Sequence, residues 1–402
     1  MRSEEKLERL LRYVSENNEF YKNRIKEYGI KNPLDITEWP VLTRKELQEN
    51  RYNMFSTGYK SKYFNQMLHR QSSSGSTGIP VNVYWDFRDL NASNMSLWRK
   101  RLHWYGISPI DKRVMFTLSA IDVPQNHGKV YYYEVSSNVL SFNTSLVNEE
   151  YSEMISIIEQ FKPKWLYIQP FVLDKLIRAY VQTNSYPPHS IRYVESVGEV
   201  LTPDLREKAS KLFGVPIVNM YGSEEMNGIA IENAQYKMKI LCDNVLIEVK
   251  NGDDIKPNGA GEALITNLNN YAMPLIRYCQ GDDIVLNSDS GEVEIISGRC
   301  IESSCLNGKR LSTLLLCDII SDINNQYKDQ IIEYSFKYRK NANQLCVFIK
   351  LENMALSRVI VSELDEKILS YFSSIEGEKL SLSIKVCQEV PKIKNHILVV
   401  GD

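Results

Sequence analysis

The chain has 402 residues, more than one hydrophobic core usually supports, so two or three domains are expected. Formal net charge is −2 with scattered lysines and arginines, which excludes a nucleic-acid footprint, and seven cysteines without a CxxC pair or a nearby His exclude a disulfide framework and a zinc site. The charged start Met1-Arg2-Ser3-Glu4-Glu5-Lys6 has no apolar signal region and no apolar run nears the ~20 residues of a membrane span, so a cytoplasmic protein with no membrane partner is expected.

In chain order, Leu7, Leu10, Leu11, Val14, Phe20, Tyr21 and Ile25 predict an amphipathic helix from Ser3 to about Gly29, broken near Asn17-Asn18. After a loop from Pro33 to Pro40, a helix restarts at Leu42–Leu47, with Thr43 as N-cap and Glu46 completing a capping box. Then comes Gln71-Ser72-Ser73-Ser74-Gly75-Ser76-Thr77-Gly78-Ile79-Pro80, leading into a predicted strand at Val81–Trp85. Glycines let backbone N–H groups close around an anion, and Ser and Thr hydroxyls add donors, so the loop suits a polyphosphate. Alone it reads more often as a flexible Ser/Gly turn than as a phosphate site, and without a Lys after the second glycine it is not a P-loop.

Phe87–Tyr105 is predicted helical, with Leu90, Met95, Leu97, Trp98 and Leu102 as buried positions. Strands at Arg113–Leu118, Trp165–Ile168, Tyr193–Val197 and Val215–Met220 alternate with helices at Tyr151–Phe161, Pro170–Gln182 and Pro203–Phe213, the last closed by Gly214. That alternation predicts an α/β parallel sheet covered on both faces, with ligands at the carboxyl ends of strands, where Gly198-Glu199 and Tyr221-Gly222 stand. From Gly228 to Ser297 short alternating segments between Gly and Asn turns predict antiparallel sheet or a barrel-like segment. The remainder reads as a small α+β unit: helices Leu311–Ile323 and Ser357–Phe372, and strands Ile332–Tyr338, Gln344–Lys350 and Ser381–Cys387.

Five pieces in order carry a resemblance: the Ser/Gly loop, Ser196-Val197-Gly198-Glu199, Tyr221-Gly222-Ser223-Glu224-Glu225, Leu275-Ile276-Arg277-Tyr278-Cys279-Gln280-Gly281-Asp282, and Gly298-Arg299. Together they resemble the adenylate-forming superfamily of acyl-CoA synthetases, adenylation domains and luciferases. The branch they are most similar to is that of phenylacetate–CoA ligase, with the capsule-biosynthesis and coenzyme F390 synthetase-like proteins. The resemblance implies a large adenylation domain over residues 1–298 and a small mobile C-terminal domain over 299–402.

It also implies roles. Ser73, Ser74, Gly75, Ser76, Thr77 and Gly78 would hold the leaving phosphates of ATP. Glu225 would hold Mg²⁺, with Ser223 and Glu224 beside it, and Asp282 would accept from both ribose hydroxyls. Tyr221 and Gly222 would lie against adenine, with Gly198, Glu199 and Val200 along its edge, while Arg299 begins the hinge. The catalytic C-terminal lysine is Lys394, with Lys392 the alternative, in Pro391-Lys392-Ile393-Lys394-Asn395-His396. Acyl-pocket residues would come from Ser119–Asp122, Tyr167–Pro170, Ser196–Gly198 and Met226–Ile229. Taken singly, Tyr221 reads as a core aromatic, Asp282 as a turn residue and Glu225 as a surface carboxylate.

Departures are visible too. The family's usual Thr is Glu224, its usual Arg or Lys after the tyrosine is Cys279, its hinge Asp-Asp is Ile301-Glu302, and Asn233 and Lys239 stand where some relatives bind zinc, so no zinc is expected. The expected activity is ATP- and Mg²⁺-dependent conversion of a small carboxylic acid to its acyl-AMP. Transfer to a thiol would follow, on CoA or a carrier-protein pantetheine. The alternatives are transfer to an amine or amino sugar, and a non-catalytic ATP-binding homologue; a homodimer is compatible with either.

Overall fold

Helices α1 (Ser3–Asn17) and α2 (Glu19–Tyr28) are separated by the single residue Asn18. Its side chain accepts from Tyr21 N at 3.3 Å and donates to Met54 O at 2.8 Å and Ser56 Oγ at 3.2 Å, so the break is a buried, fully used cap. α1 buries Leu10, Leu11 and Val14, the stripe its spacing predicts. Helix α3 (Arg44–Glu49) opens with the expected capping box: Thr43 Oγ1 accepts from Glu46 N at 3.2 Å, and Glu46 Oε2 from Thr43 N at 2.8 Å. Two short elements were not expected, α4 (Tyr59–Phe64) and β1 (His69–Ser72). β1 pairs antiparallel with β2 (Asn82–Trp85), setting Ser72 opposite Asn82. The predicted strand at 81–85 is therefore one arm of a hairpin.

The computed structural model describes residues 3–72, 81–117, 125–127, 130–143, 150–199, 201–297, 305–306, 309–310, 313–339, 341–372, 380–391 and 397–400. Two compact units emerge: Met1–Leu90 with Val245–Asp402, and Asn91–Asn244. Helix α5 (Phe87–Tyr105) starts in the first and belongs to the second from Asn91 on.

In the second unit the strands are β3 (Arg113–Thr117), β4 (Gln125–His127), β5 (Val130–Ser136), β6 (Val139–Asn143), β7 (Trp165–Ile168), β8 (Tyr193–Val197), β9 (Ile217–Ser223), β10 (Asn227–Glu232) and β11 (Met238–Ile240). They form one mixed sheet in the order β11-β10-β9-β8-β7-β3-β6-β5-β4. The run β9-β8-β7-β3 is parallel, as the strand–helix alternation predicts, and β6, which was not expected, extends it in the same sense. Helices α6 (Glu150–Phe161), α7 (Pro170–Gln182) and α8 (Pro203–Phe213) cover one face, meeting Val114, Leu166, Ile168, Val194 and Ile217. Leu97 of α5 packs on the other face with Trp165, Tyr193, Val197 and Val218.

The buried side of α5 differs from the expected one. Met95 and Leu102 are about half exposed, at 47% and 57%, while Ser93, Ser96, Leu97 and Arg101 are buried. The reason is polar pairing: Ser93 Oγ accepts from Asn227 Nδ2 at 3.0 Å, Ser96 Oγ donates to Asp243, and Arg101 pairs with Glu195.

In the first unit β12 (Val245–Asn251), β13 (Asp254–Lys256), β14 (Gly259–Asn267), β15 (Tyr278–Asn287) and β16 (Glu292–Ser297) form an antiparallel sheet in the order β13-β12-β14-β15-β16. The N-terminal segment is stitched to it. Tyr21 Oη donates to Pro274 O at 2.9 Å and accepts from Ile276 N at 3.2 Å, and Leu42 exchanges backbone bonds with Arg277 O and Cys279 N. Beyond the two-residue strands β17 (Cys305–Leu306) and β18 (Lys309–Arg310), helices α9 (Thr313–Tyr327) and α10 (Ser357–Phe372) pack on a separate sheet. That sheet joins β19 (Ile331–Arg339), β20 (Gln344–Leu351), β21 (Ser381–Val386) and β22 (Ile397–Val400) in the order β21-β20-β19-β22. Its core includes Leu316, Ile323, Phe336, Val347 and Leu364. Strand β22, parallel to β19, was not expected.

Candidate functional site

Strands β7, β8 and β9 end side by side, with Ile168 opposite Ser196 and Val197 opposite Met220. Gly198 follows at φ +79°, a left-handed turn that glycine takes without a Cβ penalty. Glu199 then folds back, and its Oε2 accepts from Phe171 N at 3.2 Å. It thereby supplies the acceptor that Gln169, the N-cap of α7, does not, and sets a carboxylate at the helix's positive end. Gln169 instead donates Nε2 to Phe116 O at 3.0 Å. Gln169 Oε1 and Ser196 Oγ are buried with no hydrogen-bond partner among the described residues. An acceptor and a hydroxyl left open at neighbouring strand ends match the mixed donor and acceptor edge of a purine base.

Strand β9 continues through Tyr221, Gly222 and Ser223, three residues past its expected end, because β10 folds back to pair with it. A Cβ on Gly222 would stand 2.6 Å from Asn227 O and 3.3 Å from Met220 Sδ, so no side chain fits there. Ser223 Oγ accepts from Met226 N at 3.1 Å, and Asn227, at φ +63°, donates Nδ2 to Ser93 Oγ at 3.0 Å and Asn94 Oδ1 at 2.8 Å. The turn carrying Glu224 and Glu225 is pinned at both ends. Glu225 is fully buried, unlike the surface carboxylate its position in the sequence alone would suggest, and Glu224 is partly exposed. Among the described residues no group of three or more His, Cys, Asp or Glu could hold a metal. A single buried carboxylate fits Mg²⁺ in the way that ion is commonly held, with substrate phosphates and water completing the shell.

Asp282 belongs to the other unit. In β15 the register with β14 jumps from Asp283 opposite Glu262 to Cys279 opposite Leu264. Gln280, Gly281 (φ +92°) and Asp282 therefore bulge out of the ladder against Ala263 alone. Asp282 is 5% exposed and its Oδ2 accepts from Gln280 Nε2 at 2.6 Å. Nearby Arg277, at φ +49°, holds Glu248 through two bonds of 2.8 and 2.5 Å and donates to the carbonyls of Thr37 and Trp39. Its guanidinium is thereby committed to the scaffold.

A model of the family described as AMP-binding enzyme matches residues 66–270, just over half of the chain. The chain belongs to that family. Among curated proteins it is similar to Protein CapK of Staphylococcus aureus, at 25% identity over 295 residues covering 71% of this chain and 62% of that protein. It is likewise 25% identical to the phenylacetate-coenzyme A ligase of Thermus thermophilus, covering 69% of this chain and 64% of that one. The chain thus spans a little under two thirds of the length of these two relatives. Its fold is similar to that of a 2-hydroxyisobutyryl-CoA ligase crystallised in the postadenylation state. The TM-score is 0.74 at 14% identity, covering all of this chain and 89% of the other. The family named from the sequence motifs is confirmed, and with it the adenylate-forming architecture.

Not all of the expected AMP-binding residues can be placed. Ser73, Ser74, Gly75, Ser76, Thr77, Gly78, Val200, Arg299, Lys392 and Lys394 lie outside the described residues, as do the Ile301-Glu302 hinge and Ser119–Asp122. The structure brings Gly198, Glu199, Tyr221, Gly222, Ser223, Glu224 and Glu225 onto two adjacent strand ends of one unit. Sequence reasoning missed what lies along the same strands on the α5 face. Arg101 forks onto Glu195 at 2.8 and 2.5 Å, Tyr193 Oη donates to Glu195 Oε2 at 2.6 Å, and the guanidinium sits 4.5 Å over Trp98 and 5.1 Å over Trp165. Burial and then Glu195 push the Tyr193 phenol well above its ordinary value, so it stays a donor. The available signal was Glu195 itself, a carboxylate in an otherwise apolar parallel strand, which needs a buried cation.

Proposed function

We propose that this AMP-binding family member joins a small carboxylic acid to AMP at the expense of ATP and passes the acyl group to a thiol. The observation that supports this best is the family match over residues 66–270, which spans the strand ends carrying Gly198, Tyr221, Gly222 and Glu225. Relatives named as coenzyme A ligases make CoA the favoured acceptor. No helix among the described residues is long and apolar enough to cross a membrane, and a cytoplasmic location is part of this proposal.

In this reading the carboxylate oxygen of the acid attacks the α-phosphorus while pyrophosphate leaves, a reaction in which negative charge crowds and positioning dominates. Mg²⁺, when bound, neutralises phosphate charge. Glu225 would hold it, and the pinned turn Ser223–Asn227 keeps that carboxylate in place. Gly222 lets the Asn227 carbonyl close in beside it and so fixes the strand end at which the Tyr221 ring would meet the nucleotide. Gln169 Oε1 and Ser196 Oγ offer polar contacts to the base edge, and Asp282 would accept from the ribose hydroxyls. Ser73–Gly78 would hold the β- and γ-phosphates and Lys394 the developing charge. The boundary at 298/299, with a mobile C-terminal domain, belongs to the same proposal.

Pyrophosphate exchange into ATP across a panel of acids tests it. Exchange with at least one acid is expected, and Glu225→Gln and Lys394→Ala should each lower it about 10²–10³-fold. A folded sample silent across a broad panel would refute the reading, and an unchanged Lys394→Ala would show that another lysine does this work.

A further inference from the structure

We propose that the hollow between α2 and the end of α3 binds a single sugar ring, a neutral molecule carrying several hydroxyls, at a site that shares no residue with the nucleotide site. The face of α2 turned to this hollow carries Phe20, Asn23, Arg24, Glu27 and Tyr28, the i, i+3, i+4, i+7, i+8 spacing of one helix stripe. Two helices normally close such a seam with apolar side chains packed at high density. Here the middle of the stripe is polar, and Glu46, Asn50 and Asn53 meet it from α3 and the turn that follows. The seam is left open as a cavity of about 260 Å³. A cavity of about 150 Å³ takes a benzene ring, so this one has room for a six-membered ring with its substituents.

Arg24 forms the floor. It is 4% exposed, lies 5.4 Å over the Phe20 ring and 5.1 Å over that of Tyr28, and spends two of its five N–H groups, on Glu46 Oε1 and Val41 O. Asn50 donates Nδ2 to Glu46 O at 3.0 Å, which leaves its Oδ1 to the hollow. Among the described residues no hydrogen bond engages the side chains of Asn23, Glu27 or Asn53, which make the exposed rim. The guanidinium donates, the Glu27 carboxylate accepts and the amides do both, so donors and acceptors alternate around the hollow, as a row of hydroxyls requires. Phe20 and Tyr28 supply an apolar wall for the C–H groups of a sugar ring. Charge disfavours other small ligands. Glu46 already neutralises Arg24 and Glu27 on the rim repels an anion, while Arg24 beneath repels a cation.

The test is calorimetric titration of the full chain with a panel of hexoses, pentoses and N-acetylhexosamines. Cyclohexanol, with one hydroxyl, and inorganic phosphate, an anion, are titrated beside them. At least one sugar should bind saturably with a Kd of about 1 mM or lower, as a ligand of about a dozen heavy atoms allows. Asn23→Ala and Asn53→Ala, both at exposed positions, should each weaken that binding about tenfold, and Asn23→Trp, which fills the hollow, should abolish it. Lys26→Ala, on α2 but outside the hollow, should leave it within about twofold. Circular dichroism of each variant without ligand separates lost binding from lost fold. No saturable binding by any sugar, equal affinity for cyclohexanol or phosphate, or sugar binding that Asn23→Ala and Asn53→Ala both leave unchanged would each overturn the inference.

Discussion

Replacing Glu195 by Gln isolates what the buried pair under β7 and β8 contributes. The substitution keeps the volume and an oxygen for Tyr193, but it leaves the Arg101 guanidinium, 5% exposed, facing a neutral amide instead of two charge-assisted bonds of 2.8 and 2.5 Å. Removing one partner of a buried pair costs about 3–5 kcal/mol, a large share of the roughly 5–15 kcal/mol that holds a domain folded. With a urea dependence near ~2 kcal/mol per molar, the midpoint should fall by about 2 M. Fluorescence reads it out in the right place, because Trp98 and Trp165 flank the guanidinium. Arg99→Ala serves as the control: its side chain is 70% exposed and its pair with Asp243 is worth under ~1 kcal/mol. The double change Arg101→Leu with Glu195→Leu should recover most of the loss, since neither charge is then stranded. A midpoint for Glu195→Gln that matches Arg99→Ala would refute the reasoning.

Three further outcomes are expected. Burial alone would raise the Glu46 carboxyl, but bonds from Thr43 and Arg24 outweigh it and hold the group below its ordinary 4.5. Its folded-state value therefore lies under the unfolded one, the stabilisation is complete above about pH 4.5 and fades as pH falls through the folded value, and Glu46→Gln should flatten that limb of an acid titration followed by circular dichroism. Asn18→Ala removes the cap of α2 and strands Met54 O, so it should cost about 2–3 kcal/mol by thermal or urea unfolding. Gly222→Ala must push back the Asn227 carbonyl, and should lose about 1–3 kcal/mol of stability together with measurable ATP binding by calorimetry; unchanged binding would remove Gly222 from the nucleotide site.

Much of this was legible in the residues. Gly198 and Gly222 announced backbone needs that the structure meets, one with a left-handed turn and the other with a close carbonyl. The capping box at Thr43 and the stripe on α1 are local, so three or four neighbouring residues suffice to read them. What escaped depends on partners distant in sequence. The buried side of α5 follows Asn227, Asp243 and Glu195, about a hundred or more residues further on, and hydropathy pointed to Met95 and Leu102 instead. Arg277 stood inside a motif, yet its use was set by Glu248 and by carbonyls of residues 37 and 39. β1 and β22 are four residues each, too short for periodicity to register.

The stitching of Tyr21 to Pro274, 253 positions later, has a bearing on how the molecule is made. At about 5–20 residues per second on the ribosome, the first two helices wait roughly 13–50 s for that partner to be synthesised, with Leu10, Leu11 and Val14 unsheltered meanwhile. Residues 91–244 emerge in one uninterrupted stretch and can complete their own sheet during the delay. Biogenesis thus runs from the middle outward, and truncations that end before residue 276 should leave nascent chains bound by chaperones through their amino-terminal helices.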